Sequence, residues 1–123
     1  MKTEEWTYEG LTNSLMNKHS WTNGDETIDM FYMNGTGNHA GFVVEVTRPG
    51  EPTLQLTNGF VNAREALVLV DLYIDLYDDA QSPAAFNALK HGTVRQDEWL
   101  RARVPDYEFK VVDPQELRVE GPR

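Results

Sequence analysis

Cysteine is absent from the 123 residues of this chain. Its absence excludes disulfides, thiolate nucleophiles and the zinc or iron–sulfur sites that need cysteine ligands. A chain without cysteine suits a reducing compartment, and we expect a cytoplasmic protein.

Long apolar runs are absent as well. No stretch approaches the roughly 18 consecutive apolar residues that a membrane-spanning helix needs. The segment from Met1 to Tyr8 is polar and lacks the basic and then apolar pattern of a signal peptide. We therefore expect neither a signal peptide nor a membrane partner.

Basic residues are few. The chain has 11 Lys and Arg against 20 Asp and Glu, which gives a formal charge of −9. Direct binding to nucleic acid or to anionic lipid calls for a basic face, so this charge argues against both. It favours a basic protein as the partner.

Motifs that carry catalysis or bind cofactors are also missing. The three histidines, His19, His39 and His91, lie in separate segments without metal-ligand spacing, and each is expected on the surface or in a loop. The glycines from Gly35 to Gly41 lead into a predicted strand and not into a helix N-terminus, so they predict a hairpin loop and no phosphate site. The elbow that surrounds a nucleophilic serine is absent. The sequence thus indicates no enzyme, no metal and no cofactor.

The hydrophobic content is nevertheless that of a folded protein. Hydrophobic residues make up 40% of the chain, which includes three Trp, five Tyr and five Phe. A chain of this length is expected to form one domain, here residues 1–123. Trp6, Tyr8 and Trp21 lie in weakly patterned sequence, so one or more of them is a candidate for an exposed interface anchor.

The most clearly specified element is a helix predicted from Asn62 to Ala80. Its apolar residues cover most of the helical circumference, and Asn62 with Glu65 has the spacing of a capping box. Leu69, Val70 and Tyr73 are expected in the core.

Three strands are predicted before this helix, at Thr27–Met33, Gly41–Thr47 and Leu54–Leu56, from alternating apolar residues and turn signals between them. Short connections favour an antiparallel meander with the helix on one face. Tyr107–Val112 predicts a further strand at an edge of the meander.

Shorter helices complete the predicted fold. Leu11, Leu15 and Met16 are spaced for one helical face within the first twenty residues, and proline and capping signals predict helices at Ala84–Lys90 and Val94–Val104. The predicted class is α+β: an antiparallel sheet of three to four strands covered on one face by a long helix, with two or three shorter helices.

The central helix carries an acidic edge made of Asp71, Asp75, Asp78 and Asp79. Like charges one turn apart repel, and anions near a helix C-terminus oppose the dipole, each effect costing about 0.2 to 1 kcal/mol. One interpretation is a solvated face or a set of partners for arginines elsewhere in the fold. On the other interpretation, the edge is a binding surface for a positive partner, and the four aspartates are the candidate partner-binding residues.

The leading hypothesis is a non-enzymatic acidic protein that binds and inhibits a basic protein partner, as an inhibitor, immunity or anti-defence protein does, with imitation of nucleic-acid charge as one route. The first alternative is a small α+β enzyme or ligand-binding domain with a pocket between sheet and helices. The second is a structural or assembly subunit that forms a homo-oligomer through the Tyr107–Val112 strand or the Trp6 region.

Overall fold

A computed structural model of the chain describes residues 6–35, 40–57, 59–75, 102 and 104–117. The strands are β1 (Thr7–Asn13), β2 (Lys18–Asn23), β3 (Glu26–Asn34), β4 (Ala40–Thr47) and β5 (Leu54–Gln55). The helices in these ranges are α1 (Ala63–Asp75) and the short α2 (Pro114–Leu117), and a 3₁₀ turn spans Val104–Asp106.

The five strands form one antiparallel sheet in the order of the sequence, β1-β2-β3-β4-β5. The pairing of β3 with β4 is the longest and runs from Thr27 opposite Thr47 to Asn34 opposite Ala40. Gly24 and Asp25 connect β2 to β3, and Gly24 has a φ of 59°, a conformation that glycine adopts without a steric cost. The strands predicted from alternation are present as β3, β4 and β5.

The helix expected around Leu11, Leu15 and Met16 is wrong, because this segment forms the β1–β2 hairpin. The side chains that hold the hairpin to the core belong to its alternating positions, with Tyr8 opposite Trp21 in the register. The three residues with helical spacing are instead all exposed. Two further strands thus replace the predicted helix.

Helix α1 begins as its capping box predicts. The amide of Glu65 donates to Asn62 Oδ1 at 2.8 Å, and the amide of Asn62 donates to Glu65 Oε1 at 2.9 Å. Leu69, Val70 and Tyr73 are buried as expected. The part of the predicted helix from 76 to 80 lies outside the described residues.

One side of α1 packs on the sheet and forms the main core. This layer is lined by Trp21, Ile28, Met30, Phe42, Val44 and Val46 from the sheet and by Ala66, Leu67, Val70, Tyr73 and Ile74 from α1. Because the sheet residues alternate in direction along each strand, the apolar residues of β2, β3 and β4 gather on this face, which His19 of β2 shares with them.

The other side of α1 is covered by the segment after residue 103. Val68 and Leu69 pack there against Val104, with Tyr107 and Phe109 at the margin. Helix α1 therefore lies between two layers, which is the physical reason why it is apolar around most of its circumference.

The strand predicted at Tyr107–Val112 is wrong. Tyr107 and Phe109 do alternate with more exposed neighbours, but the segment pairs with no strand among the described residues. Its backbone amides donate instead to a side chain of α1, as shown below. The hypothesis of a homo-oligomer contact here assumed an edge strand, which this segment does not form in the described part of the chain.

The predicted fold class is therefore wrong in its count of elements. The sheet has five strands, and α1 extends over 13 residues in the described part of the chain. The helices predicted at Ala84–Lys90 and in the first part of Val94–Val104 fall outside the described residues, and Val104 itself starts the 3₁₀ turn. The α+β character is confirmed.

The two tryptophans proposed as exposed anchors are also core residues. Trp6 and Trp21 are 8% and 4% exposed. Trp6 meets the ring of Tyr73 edge to face at 6.2 Å, and Trp21 lies 5.1 Å from the ring of Tyr8, which is half-buried. Neither tryptophan is available to a partner.

Candidate partner-binding surface

Asp71 lies in the interior of the protein. Its residue exposure is 0%, although the sequence placed it on a solvated edge of the helix. An unpaired carboxylate in such a position is costly, so its hydrogen-bond partners decide what it does.

Four donors converge on the Asp71 carboxylate. Oδ1 accepts from the backbone amides of Lys110, Val111 and Val112 at 3.1, 2.7 and 2.9 Å, and Oδ2 accepts from the Tyr107 hydroxyl at 2.6 Å. Three consecutive amides that point at one oxygen form an anion-binding nest. The same geometry excludes a β-ladder, in which successive amides point in alternating directions.

The Tyr107 hydroxyl is one of the four donors that hold this segment to Asp71. Burial, and then its hydrogen bond to Asp71, raises the pKa of Tyr107. Arg64, the second residue of α1, fixes the other end of the segment. It donates to the carbonyls of Val104 and Tyr107 at 3.0 and 3.4 Å, and its guanidinium lies 5.1 Å from the centre of the Phe109 ring.

The other aspartates of the predicted edge do not gather with Asp71 at a free surface. Asp75 accepts from Lys110 Nζ at 3.1 Å, and its side chain is 20% exposed. Asp78 and Asp79 lie outside the described residues. The observed partners of Asp71 and Asp75 are backbone amides, a tyrosine and a lysine, and not the arginines that the sequence suggested.

Carboxylates that do face outward occur on the segment that Asp71 holds. Asp106 and Glu108 are exposed and alternate with Tyr107 and Phe109, which turn toward α1. Neither acid has an ion pair with another described residue. Sequence reasoning missed both, although the alternation of Asp-Tyr-Glu-Phe-Lys was a visible signal.

The basic side chains of the described part are all engaged within the protein. Lys18 lies 3.9 Å from Asp29, Arg48 lies between Glu26 and Glu51 at 3.7 and 3.4 Å, and Arg64 and Lys110 make the contacts given above. The described ranges contain thirteen Asp and Glu against these four bases, which is the full excess of nine acids in the chain. The described part of the chain thus holds nine more acidic than basic residues.

His19 differs from its expected surface position. It is 2% exposed on β2, where the Tyr8 hydroxyl lies 2.6 Å from Nδ1 and Asn17 Oδ1 lies 3.2 Å from Nε2. Because an amide oxygen only accepts, Nε2 donates to Asn17; in the neutral imidazole, which burial favours, Nδ1 then accepts from the Tyr8 hydroxyl. Burial lowers the pKa of His19. His39 and His91 lie outside the described residues.

A second polar group occupies the opposite face of the sheet. Ser20 donates to Asp29 Oδ1 at 2.6 Å, and its Oγ lies 2.8 Å from the hydroxyl of Thr12. Asp29 is directly opposite Glu45 in the register of β3 and β4. Two like charges directly opposite each other destabilise a sheet. The contacts of Asp29 with Ser20 and Lys18 offset part of this destabilisation.

The alternative of an enzyme or ligand-binding domain places a pocket between the sheet and the helices. The space between the sheet and α1 is filled by side chains that are almost completely buried. A surface depression of about 250 Å³ is lined by residues 109–114, outside that layer. Within the described ranges no group of three or more His, Asp or Glu side chains could hold a metal ion, and no helix has the length and apolar content to cross a bilayer.

Comparisons with known proteins give no relative from which a function could be transferred. The chain matches no protein-family model, no curated protein and no solved structure.

Proposed function

We propose that this chain is a cytoplasmic, non-enzymatic binding protein that inhibits a basic protein partner through its acidic surface. The proposal rests on how the charged side chains of the described part are paired. All four bases of the described part are engaged internally, whereas exposed acids such as Asp106 and Glu108 have no counter-charge there.

The segment from Val104 to Val112 is the best supported part of that surface. Its inward residues and its amides are fixed to α1 by Arg64 and Asp71, so its outward carboxylates are held on a rigid support. Fixed charges of one sign steer an oppositely charged partner and raise its association rate. Asp78 and Asp79 remain predicted members of the surface, while Asp71 acts as its support and Asp75 is paired with Lys110.

Affinity capture from cells that express the protein, followed by mass spectrometry, identifies the partner, and the purified pair then tests the surface. We expect the variant with Asp106→Asn and Glu108→Gln to associate about tenfold more slowly at low salt, with a flatter salt dependence. The variant with Asp25→Asn and Glu45→Gln is the matched control, because it removes the same charge from positions away from the segment.

The outcomes separate a local surface from a general charge effect. Slower association in the first variant alone supports the proposal. Equal slowing in both variants means that net charge, and not this segment, attracts the partner. Capture of no basic protein, or unchanged association at every salt concentration, overturns the proposal.

A further inference from the structure

The tip of the β1–β2 hairpin is an exposed apolar surface. Five large hydrophobic residues of the described part are exposed, and three of them, Leu11, Leu15 and Met16, belong to this hairpin. Leu15 is 97% exposed and Leu11 52%. We refer to these three residues as the apolar tip.

The tip has a defined conformation. Asn13 Oδ1 accepts from the amides of Leu15 and Met16 at 3.0 and 3.3 Å, which forms an Asx turn. The carbonyl of Met16 accepts from the amide of Tyr32 at 2.8 Å, and this bond ties the tip to β3. The loop therefore presents Leu15 to solvent from a fixed backbone, so little backbone order is lost on binding.

The tip is also free of charge, although the chain carries −9. Residues 10–17 contain no Asp, Glu, Lys or Arg. The nearest charged residues are engaged internally, since Glu9 accepts from Thr22 at 2.5 Å and Lys18 lies beside Asp29. Two copies of an acidic protein repel each other over most of their surfaces, and this repulsion is weakest where the tips meet.

We infer that the apolar tip is a self-association surface, on which a second copy of this chain binds through its own tip. The chemistry of the tip identifies its occupant. A basic partner is attracted to carboxylates, and residues 10–17 have none. An uncharged apolar surface instead packs against another of the same kind. Two-fold symmetry then places Leu15 of each copy against the tip of the other. The contact is small, so the dimer is weak and concentration-dependent.

Sedimentation equilibrium of the purified protein tests this inference without any partner protein. The mass should rise from 14.1 kDa toward twice that value as the concentration increases from about 10 µM to about 1 mM, as for a small interface. Dimerisation should strengthen when salt increases from about 0.05 to 0.5 M, because salt screens the repulsion between the copies.

Leu15→Ser should weaken dimerisation at least about tenfold, and Phe60→Ser, a change of another exposed apolar residue, should leave it unaltered. Leu15 is almost fully exposed, so its replacement leaves the fold intact, which circular dichroism and urea unfolding verify. A monomer at all concentrations overturns the inference, as does equal dimerisation of Leu15→Ser or a dimer that weakens with salt. Any of these results leaves the proposed binding of a basic partner untouched.

Discussion

Replacement of Asp71 by Asn is the sharpest test of how this fold is held together. From the sequence alone, the helix aspartates carry only a cost, from mutual repulsion and from the helix dipole, so on that basis their conversion to Asn should leave the protein no less stable. The structure reverses this expectation for Asp71, since its carboxylate accepts from three backbone amides and one hydroxyl.

The magnitude follows from those contacts. A hydrogen bond to a charged group contributes about 1.5 to 3 kcal/mol, against about 1 kcal/mol for a neutral one. Asn retains one acceptor oxygen for the amides of Lys110, Val111 and Val112, so each bond loses its charge assistance without being broken. The Tyr107 hydroxyl, which donates to Asp71, must instead accept from the amide nitrogen of the new side chain. Because such losses are not additive, we expect a total of about 2 to 4 kcal/mol.

Urea unfolding followed by circular dichroism measures this change, and Asp75→Asn is the matched control. Asp75 pairs with Lys110, whose side chain is 65% exposed, so its replacement should cost less than about 1 kcal/mol. Hydrogen exchange adds a local readout: the amides of residues 110–112 should lose protection in Asp71→Asn and keep it in Asp75→Asn. An Asp71→Asn protein within about 0.5 kcal/mol of the parent, with these amides still protected, would refute the anchoring role.

Four further predictions address other parts of the fold. Burial lowers the pKa of His19, so its contribution to stability is complete above the ordinary pKa of about 6.5 and declines as the pH falls below that value. His19→Gln should therefore flatten the decline of the urea unfolding midpoint between about pH 7.5 and 5, and an unchanged slope contradicts this. Tyr107→Phe should lower the free energy of unfolding in urea by about 1 to 2 kcal/mol, because it removes the donor to Asp71 Oδ2; a neutral change in stability rules out that bond. Gly41→Ala should destabilise by about 1 to 3 kcal/mol in urea, because the new Cβ would lie 2.8 Å from the carbonyl oxygen of Val61; a variant as stable as the parent argues against that approach. Leu69→Ala should lower the thermal midpoint through a loss of about 2 to 5 kcal/mol, which an unchanged midpoint disproves.

The elements that sequence analysis located correctly are those with short-range signals. The capping box of Asn62 and Glu65 fixes the start of α1 through two hydrogen bonds over three residues. Alternation over Thr27–Met33 and Gly41–Thr47 identifies β3 and β4, because one face of each lies on the core. These signals reside in the sequence near the element that they specify.

The β1–β2 hairpin was missed for a physical reason. Its three largest aliphatic side chains have helical spacing but lie at an exposed tip, so they carry no information about the core. The informative residues were Tyr8 and Trp21, which face each other across the strands, with Gly10 at a φ of 87° that a helix excludes. A weak pattern of buried aromatics was outweighed by a clear pattern of exposed leucines.

The role of Asp71 depends on residues about 40 positions later in the chain, and no local pattern reveals such a contact. One sequence feature nevertheless distinguishes it from a surface acid. Asp71 lies between Val70 and Leu72 in a helix that is apolar on almost every side, and such a helix is covered on more than one side. An acid in that setting must meet donors from the covering segment, since a buried carboxylate without them would destabilise the fold. Asp106 and Glu108 alternate instead with inward aromatic residues, and both are exposed. The residues next to an acid thus distinguish Asp71, whose buried carboxylate stabilises the fold, from acids that face solvent and are available to a partner. The number of acids nearby does not make this distinction.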